Sequence, residues 1–206
     1  MHRDLLDMLK TLKFEAGRDF PAIGLAGLTI AIGLAGQGGR ELLRFERLAI
    51  LHDGQWWRLL SGHLVHLGWP HLWLNLAGCL LVWFLFRRDF RLIQWLLVVL
   101  LSLLFMDAGF LLLNPELQWY VGLSGLLHGL FAAGMLRWLK DGGWEAWAML
   151  AIFAAKLLWE QLAGPLPLTS ESAGGPVIVD AHFYGAIGGL VAALLVGARE
   201  KRLAHV

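Results

Sequence analysis

Charge is scarce in this sequence. Asp, Glu, Lys and Arg make up 16% of its 206 residues, well under the roughly 25% of soluble domains, and 58% of the residues are hydrophobic. Such a composition cannot clothe a globular surface in water. Leucine-rich runs recur from one end of the chain to the other, so it reads as one integral membrane domain and not as a soluble core on an anchor. Cysteine is scarcer still. Cys79 is the single one, which excludes an internal disulfide, and in its apolar segment it reads as a small buried residue. A net charge of +1 leaves no electrostatic case for nucleic acid. Nor is a cleavable leader apparent: the first apolar run begins near Pro21, behind an amphipathic stretch of mixed charge, and lacks a small-residue cleavage site.

What the sequence does have is spacing. A helix rising about 1.5 Å per residue needs roughly 20 residues to cross about 30 Å of hydrocarbon. The apolar runs predict six spans, at about 20–36, 69–86, 91–113, 123–139, 144–162 and 180–198. Several are short enough to require tilt or local bilayer thinning. The expected architecture is all-α and polytopic: an N-terminal segment 1–19, a six-helix domain 20–198 and a tail 199–206. Lys and Arg are absent from 114–121 and 163–179. They gather at the N-terminus (Arg3, Lys10, Lys13, Arg18), at Arg87, Arg88 and Arg91, at Arg137 and Lys140, and at Arg199, Lys201 and Arg202. The positive-inside rule then places both termini in the cytoplasm. Residues 37–68 dissent, carrying Arg40, Arg44, Arg47 and Arg58 on the opposite side, offset in part by Glu41, Glu46 and Asp53. This loop has helical apolar spacing and paired tryptophans, which predicts short amphipathic helices in the outer interface.

With that orientation the second, fourth and sixth spans all enter from outside, and their polar residues fall at one depth. His71 and Asn75 lie in the first two turns of the second span, Ser124 and His128 in those of the fourth, and His182 in the first turn of the sixth. All are within roughly 10 Å of the outer surface by helix rise. Singly, a histidine or asparagine near a helix end is an anchor or an interhelical hydrogen bond, and His63 and His66 read that way. A convergent layer of costly polar groups points to function. Gly125 and Gly129, and Gly185 and Gly189, form small-xxx-small pairs that serve plain packing and also let two helices come within hydrogen-bonding reach.

A serine hydroxyl needs a base to become a nucleophile, and the oxyanion it creates needs positioned donors. His182 suits the base, although His128, one turn along the same helix, also approaches Ser124. His71 and Asn75, four apart on one face, and the Ser124 amide in an unpaired first turn are candidate donors. No carboxylate is called into a triad: Asp180 reads as the N-cap of the last span. Lys156 and Glu160, four apart, read as an ion pair or as groups that meet a substrate's tail or a lipid headgroup, and Asp107 as a group satisfied across a helix interface or as a substrate contact. Gly174, Gly175 and Pro176 punctuate a loop that reads equally as a cap and as ordinary turn chemistry.

Taken together, "WWR" with Trp57 and Arg58, "HLWLN" with His71 and Asn75, "GLSG" at Gly122–Gly125 and "AHFYGAIGG" at Ala181–Gly189 resemble the rhomboid family of intramembrane serine proteases along nearly the whole chain. The resemblance implies a Ser124–His182 dyad and an oxyanion hole of His71, Asn75 and the Ser124 amide. Gly122, Gly125, His128, Gly185, Gly189, Trp57 and Arg58 would support it, with neither cofactor nor metal. Where rhomboids often carry a tyrosine four residues after the serine, this chain has His128. "GLSGLLHGLF" and "AKLLWEQ" are similar to the bacterial rhombosortase subgroup. That similarity implies an inner-membrane protease acting on exported proteins with a C-terminal GlyGly-containing hydrophobic anchor and a basic tail. The alternative is a non-proteolytic rhomboid-like client-binding protein, disfavoured by the presence of both Ser124 and His182. A small transporter is disfavoured because the polar groups form a layer and not a path.

Overall fold

The computed structural model describes residues 15–140 and 142–204. Arg3, Lys10 and Lys13, and the side chains of Arg18, Lys201 and Arg202, lie outside the described residues. The chain enters as helix α1 (Ala16–Leu34) and turns into α2 (Gly36–Leu43). Gly36 makes the turn with a φ of +65° that glycine tolerates best, and the two helices are bent by 115°. Strand β1 (Phe45–Glu46), α3 (Arg47–Leu51), α4 (Arg58–Ser61) and a 3₁₀ turn (Gly62–Leu64) complete the first loop. The long helices follow: α5 (Trp69–Phe86), with Pro70 in its first turn where a missing N–H costs nothing, then α6 (Leu92–Leu112), α7 (Ser124–Leu139) and α8 (Trp144–Ala163). A short α9 (Thr169–Ala173) precedes α10 (Val179–Ala204).

The bundle is all-α apart from one ribbon. β1 pairs antiparallel with β2 (Trp119–Tyr120), setting Phe45 opposite Tyr120. Among the described residues, four helices are long and apolar enough to cross a membrane (Trp69–Phe86, Leu92–Leu112, Trp144–Ala163 and Val179–Glu200), and the bent α1–α2 pair is a fifth candidate. The expected fourth span, α7, has 16 residues, about 24 Å by rise. It is shorter than the four long helices, so a crossing by α7 requires the local bilayer thinning expected of the short spans, and its first residue is Ser124. The last helix continues through the start of the expected tail as far as Ala204.

The four arginines that break the charge pattern are all tied down. Arg40 donates to the Leu67 carbonyl at 2.6 Å, and Arg44 pairs with Glu46. Arg58 donates to Gln55 Oε1 and to the carbonyls of Glu41 and Arg44 at 2.7–2.9 Å. Arg47 spreads its guanidinium over the carbonyls of Leu117, Asn114 and Phe110. It thereby caps the C-terminal end of α6, where the helix dipole favours a cation. Hydrogen bonds from a charged donor contribute about 1.5–3 kcal/mol each, enough to fix this loop on the bundle.

α10 runs between α6 and α7 in backbone contact. A Cβ on Gly185 would stand 2.0 Å from the Gly125 carbonyl oxygen, and one on Gly189 would stand 2.0 Å from that of Gly129. Reciprocally, a Cβ on Gly125 would meet the Ala181 carbonyl at 2.7 Å. The two small-xxx-small pairs therefore face each other. Their closeness places His182, one residue past Ala181, beside Ser124.

Candidate active site

Ser124 is the first residue of α7, and the turn before it is held firmly. Gly122 has a φ of +135° and a Cβ there would press on His71 Cε1 at 2.9 Å, so both backbone and space demand glycine. The buried Tyr120 hydroxyl donates to the Gly122 carbonyl at 2.6 Å. Burial pushes this phenol above its usual range, so it remains a donor.

Across the helix contact, Ser124 Oγ lies 3.0 Å from His182 Nε2, and His182 Nδ1 lies 2.9 Å from Glu160 Oε2. A carboxylate only accepts. Nδ1 therefore carries the proton, and Nε2 presents its lone pair to the serine hydroxyl. His128 Nδ1 is 2.7 Å from the Ser124 carbonyl, which also only accepts, so His128 donates there and its Nε2 receives Lys156 Nζ at 2.7 Å. Lys156 in turn donates to Glu160 at 2.7 Å. The five residues close a ring of hydrogen bonds in which each proton has one place. Within it the His128 and His182 rings stack, 4.0 Å between centroids and 14° from parallel.

His128, Glu160 and His182 offer ligand atoms within 4.8 Å of one another, a spacing that invites the question of a metal. The stacked rings answer it. Their in-plane lone pairs leave in near-parallel planes about one ring separation apart, so an ion about 2.0–2.1 Å from one nitrogen, in its plane, is far out of plane for the other. Lys156 also donates to two of the three groups. The cluster is built around an ammonium.

Two donors stand on α5. His71 Nδ1 accepts the Leu67 N–H at 3.3 Å, which leaves Nε2 as the protonated nitrogen, close to Gly122. Asn75 gives one amide hydrogen to the His71 carbonyl at 3.0 Å and keeps the second. His71, Asn75, Ser124, His128, Lys156 and His182 all border one cavity of about 430 Å³, whose remaining wall is largely apolar and includes residues of the 166–178 loop.

The family model described as Rhomboid domain matches residues 53–199, well over half of the chain and every member of the ring. The chain belongs to the rhomboid family. No curated protein matches it. Rhomboids are intramembrane serine proteases that act on membrane-protein substrates in the bilayer, and the long apolar helices agree with an integral membrane protein.

Of the residues singled out in the sequence, the structure brings Ser124, His182, His71, Asn75 and His128 together in this rhomboid, with Gly122 beneath them. Gly125, Gly185 and Gly189 lie in the helix contact. Trp57 and Arg58 do not reach the cavity: Trp57 is half exposed and Arg58 braces the first loop. Asp180 is not the N-cap, because α10 already begins at Val179; it accepts from Asn114 Nδ2 at 2.8 Å. Asp107 does find its partner across an interface, in His63 at 3.1 Å. His63 and His66 are buried, and His63 makes through Asp107 the hydrogen bond to a neighbouring helix that was the expected alternative to an anchoring role. His66 packs edge-on against His71 at 5.1 Å, and burial first, then the neighbouring His71, pushes it down to about 3. Lys156 and Glu160 do form the expected ion pair. The contact of Glu160 with His182 was missed, and the i, i+4 spacing was the only local sign of it.

Proposed function

We propose that this rhomboid is an intramembrane serine endopeptidase in which Ser124 is the nucleophile and His182 the general base. The observation that carries this reading is the 3.0 Å contact between Ser124 Oγ and an unprotonated His182 Nε2 at the edge of a cavity. The Ser124 proton passes to Nε2 as Oγ bonds to the scissile carbonyl carbon. The carbonyl oxygen becomes an oxyanion facing His71 Nε2–H, the free Asn75 amide hydrogen and the Ser124 N–H at the start of α7. His182 then returns its proton to the leaving amine as the C–N bond breaks. Water, deprotonated by the same nitrogen, hydrolyses the acyl-enzyme and restores Ser124. Loss of one oxyanion donor typically costs about 10²–10³-fold in kcat. His71→Ala and Asn75→Ala are each expected at or below that range with Ser124 intact, and full turnover in both would place the hole elsewhere.

The substrates are exported proteins anchored by a C-terminal hydrophobic segment with a GlyGly motif and a basic tail. Support comes from the rhombosortase-like "GLSGLLHGLF" and "AKLLWEQ" stretches and from the apolar cavity wall. The domain is residues 20–198, set in a bacterial inner membrane with its flanking segments cytoplasmic and the site near the outer face. The absence of Lys and Arg from 114–121 and 163–179 supports that orientation, and within the dissenting first loop Arg44 is paired with Glu46. A cysteine introduced at Ser172 is expected to react with an impermeant reagent from outside, and one at Arg202 is not; the reverse labelling would invert the topology. The function itself is tested by co-expressing a GlyGly-anchored reporter with wild type or Ser124→Ala and measuring the mass of the released product. A reporter left whole by the wild type would reject this substrate class.

A further inference from the structure

Glu160 stands where a membrane helix gains nothing by carrying a carboxylate. α8 is the least buried of the four long spans, and Ala146 and Glu160 are its buried residues. The Glu160 side chain is 1% exposed, and an ionisable group in such a setting is costly unless paired. One oxygen, Oε2, receives both Lys156 and His182. The ammonium alone would neutralise the carboxylate, so the bond to His182 needs a separate reason.

Resting on the reading above that His182 is the base, we propose that Glu160 completes a Ser124–His182–Glu160 relay and that Lys156 locks the relay in place. Both are positioning residues, since they act through His182 and His128. Glu160 fixes the Nδ1–H tautomer, the one form of His182 that can accept the serine proton at Nε2. It also faces the imidazolium produced by that transfer, the role a buried carboxylate plays in serine triads on unrelated folds. Lys156 performs two tasks with one ammonium. It keeps Glu160 charged and oriented, and by donating to His128 Nε2 it commits the His128 Nδ1–H to the Ser124 carbonyl. His128 is thus held as a flat plate against His182, in the place where a tyrosine ring would offer no acceptor nitrogen. A dyad with only an aromatic plate restrains the base by stacking. Here the base is restrained by stacking and by a directed hydrogen bond.

A merely structural ion pair, docking α8 on the bundle, would look similar in a single-mutant stability measurement. The test therefore measures the reactivity of Ser124 in the full-length protein in proteoliposomes, using a fluorophosphonate probe. In labelling, the Oγ–P bond forms as fluoride leaves and the hydroxyl proton passes to His182 Nε2, so the rate reads the base directly. Glu160→Gln is expected to slow labelling by about 10⁴-fold, the scale seen when a triad carboxylate is neutralised or removed, and Glu160→Asp to recover part of it. Lys156→Met is expected to slow labelling at least about tenfold, and Lys156→Arg, which keeps the charge with a different geometry, to recover part of it. The double variant Lys156→Met/Glu160→Gln removes the pair without stranding a buried charge. Its melting temperature is expected to return toward wild type while its labelling stays as slow as that of Glu160→Gln, and it keeps the test valid if the single variant does not fold. Wild-type labelling in Glu160→Gln, or recovery of both stability and labelling in the double variant, overturns the relay. Wild-type labelling in Lys156→Met overturns the lysine's part. Labelling that persists in Ser124→Ala rejects the nucleophile assignment itself, so the two readings fail separately.

Discussion

Ser124→Ala is expected to lower cleavage of a membrane-anchored substrate by about 10⁶-fold, the scale on which removing a serine nucleophile acts in other serine proteases, while the protein stays folded. The hydroxyl is one atom in a half-buried site at the head of α7, and the packing there is set by Gly125 against Ala181 and by Leu123 and Leu126 in the core. Deleting it removes the attacking atom without opening a sizeable void. His182→Ala is expected to fall to the same background. Its ring links Ser124 and Glu160, and its loss leaves Glu160 with Lys156 alone. His128→Phe separates the two histidines. A phenyl ring preserves the stack on His182 but neither donates to the Ser124 carbonyl nor accepts from Lys156. It is expected to keep a measurable part of the activity. Equal protein levels and one reporter decide the matter: a working His182→Ala beside an inactive His128→Phe would transfer the role of base to His128.

The second large effect comes from a residue with no chemistry at all. Gly185→Ala or Gly189→Ala drives a methyl group to within 2.0 Å of a backbone carbonyl oxygen on α7. A backbone cannot step aside as a flexible side chain would, so α7 and α10 must separate. Overpacking of this kind costs about 1–3 kcal/mol in stability. The catalytic consequence is larger in proportion, because Ser124 and His182 sit on the two helices being forced apart, and a misplacement of about 1 Å costs on the order of 10²-fold. The expected result is a protein that inserts and folds with a lowered melting temperature and loses about 10²-fold in rate. Gly27→Ala is the matched control: it lies within α1 with nothing within 4 Å of its new methyl, and alanine improves helix propensity there by up to about 1 kcal/mol. If Gly185→Ala behaved like Gly27→Ala, the close helix contact could not be what brings the serine and histidine together.

The sequence by itself determined what depends on short-range order. Hydropathy gave the long helices to within a few residues, because the length of an apolar run and the crossing distance are both local quantities. The place of His71, Ser124 and His182 in the first turns of their helices followed by counting from the helix ends, and the pairs Gly125/Gly129 and Gly185/Gly189 were visible as two matching periods of four, though only the packed helices show them facing each other. Tertiary structure alone decided the rest. Lys156 and Glu160 were legible as neighbours on one helix, but whether the carboxylate faced lipid, solvent or His182 depends on how α8 rotates and leans against α7 and α10, and no spacing within α8 encodes that. The arginines of the first loop were counted as charges in the sequence. They became caps only because the fold carries the carbonyls of Leu117, Asn114 and Phe110 to Arg47, and those of Glu41 and Arg44 to Arg58. Asp180 looked like a helix cap until the chain brought Asn114 to it from 66 residues away. The physical reason is the same in each case: an apolar run finds its place by partitioning into lipid, which is a property of the run. A charged side chain finds its place by meeting a partner, and the partner arrives only when the helices pack.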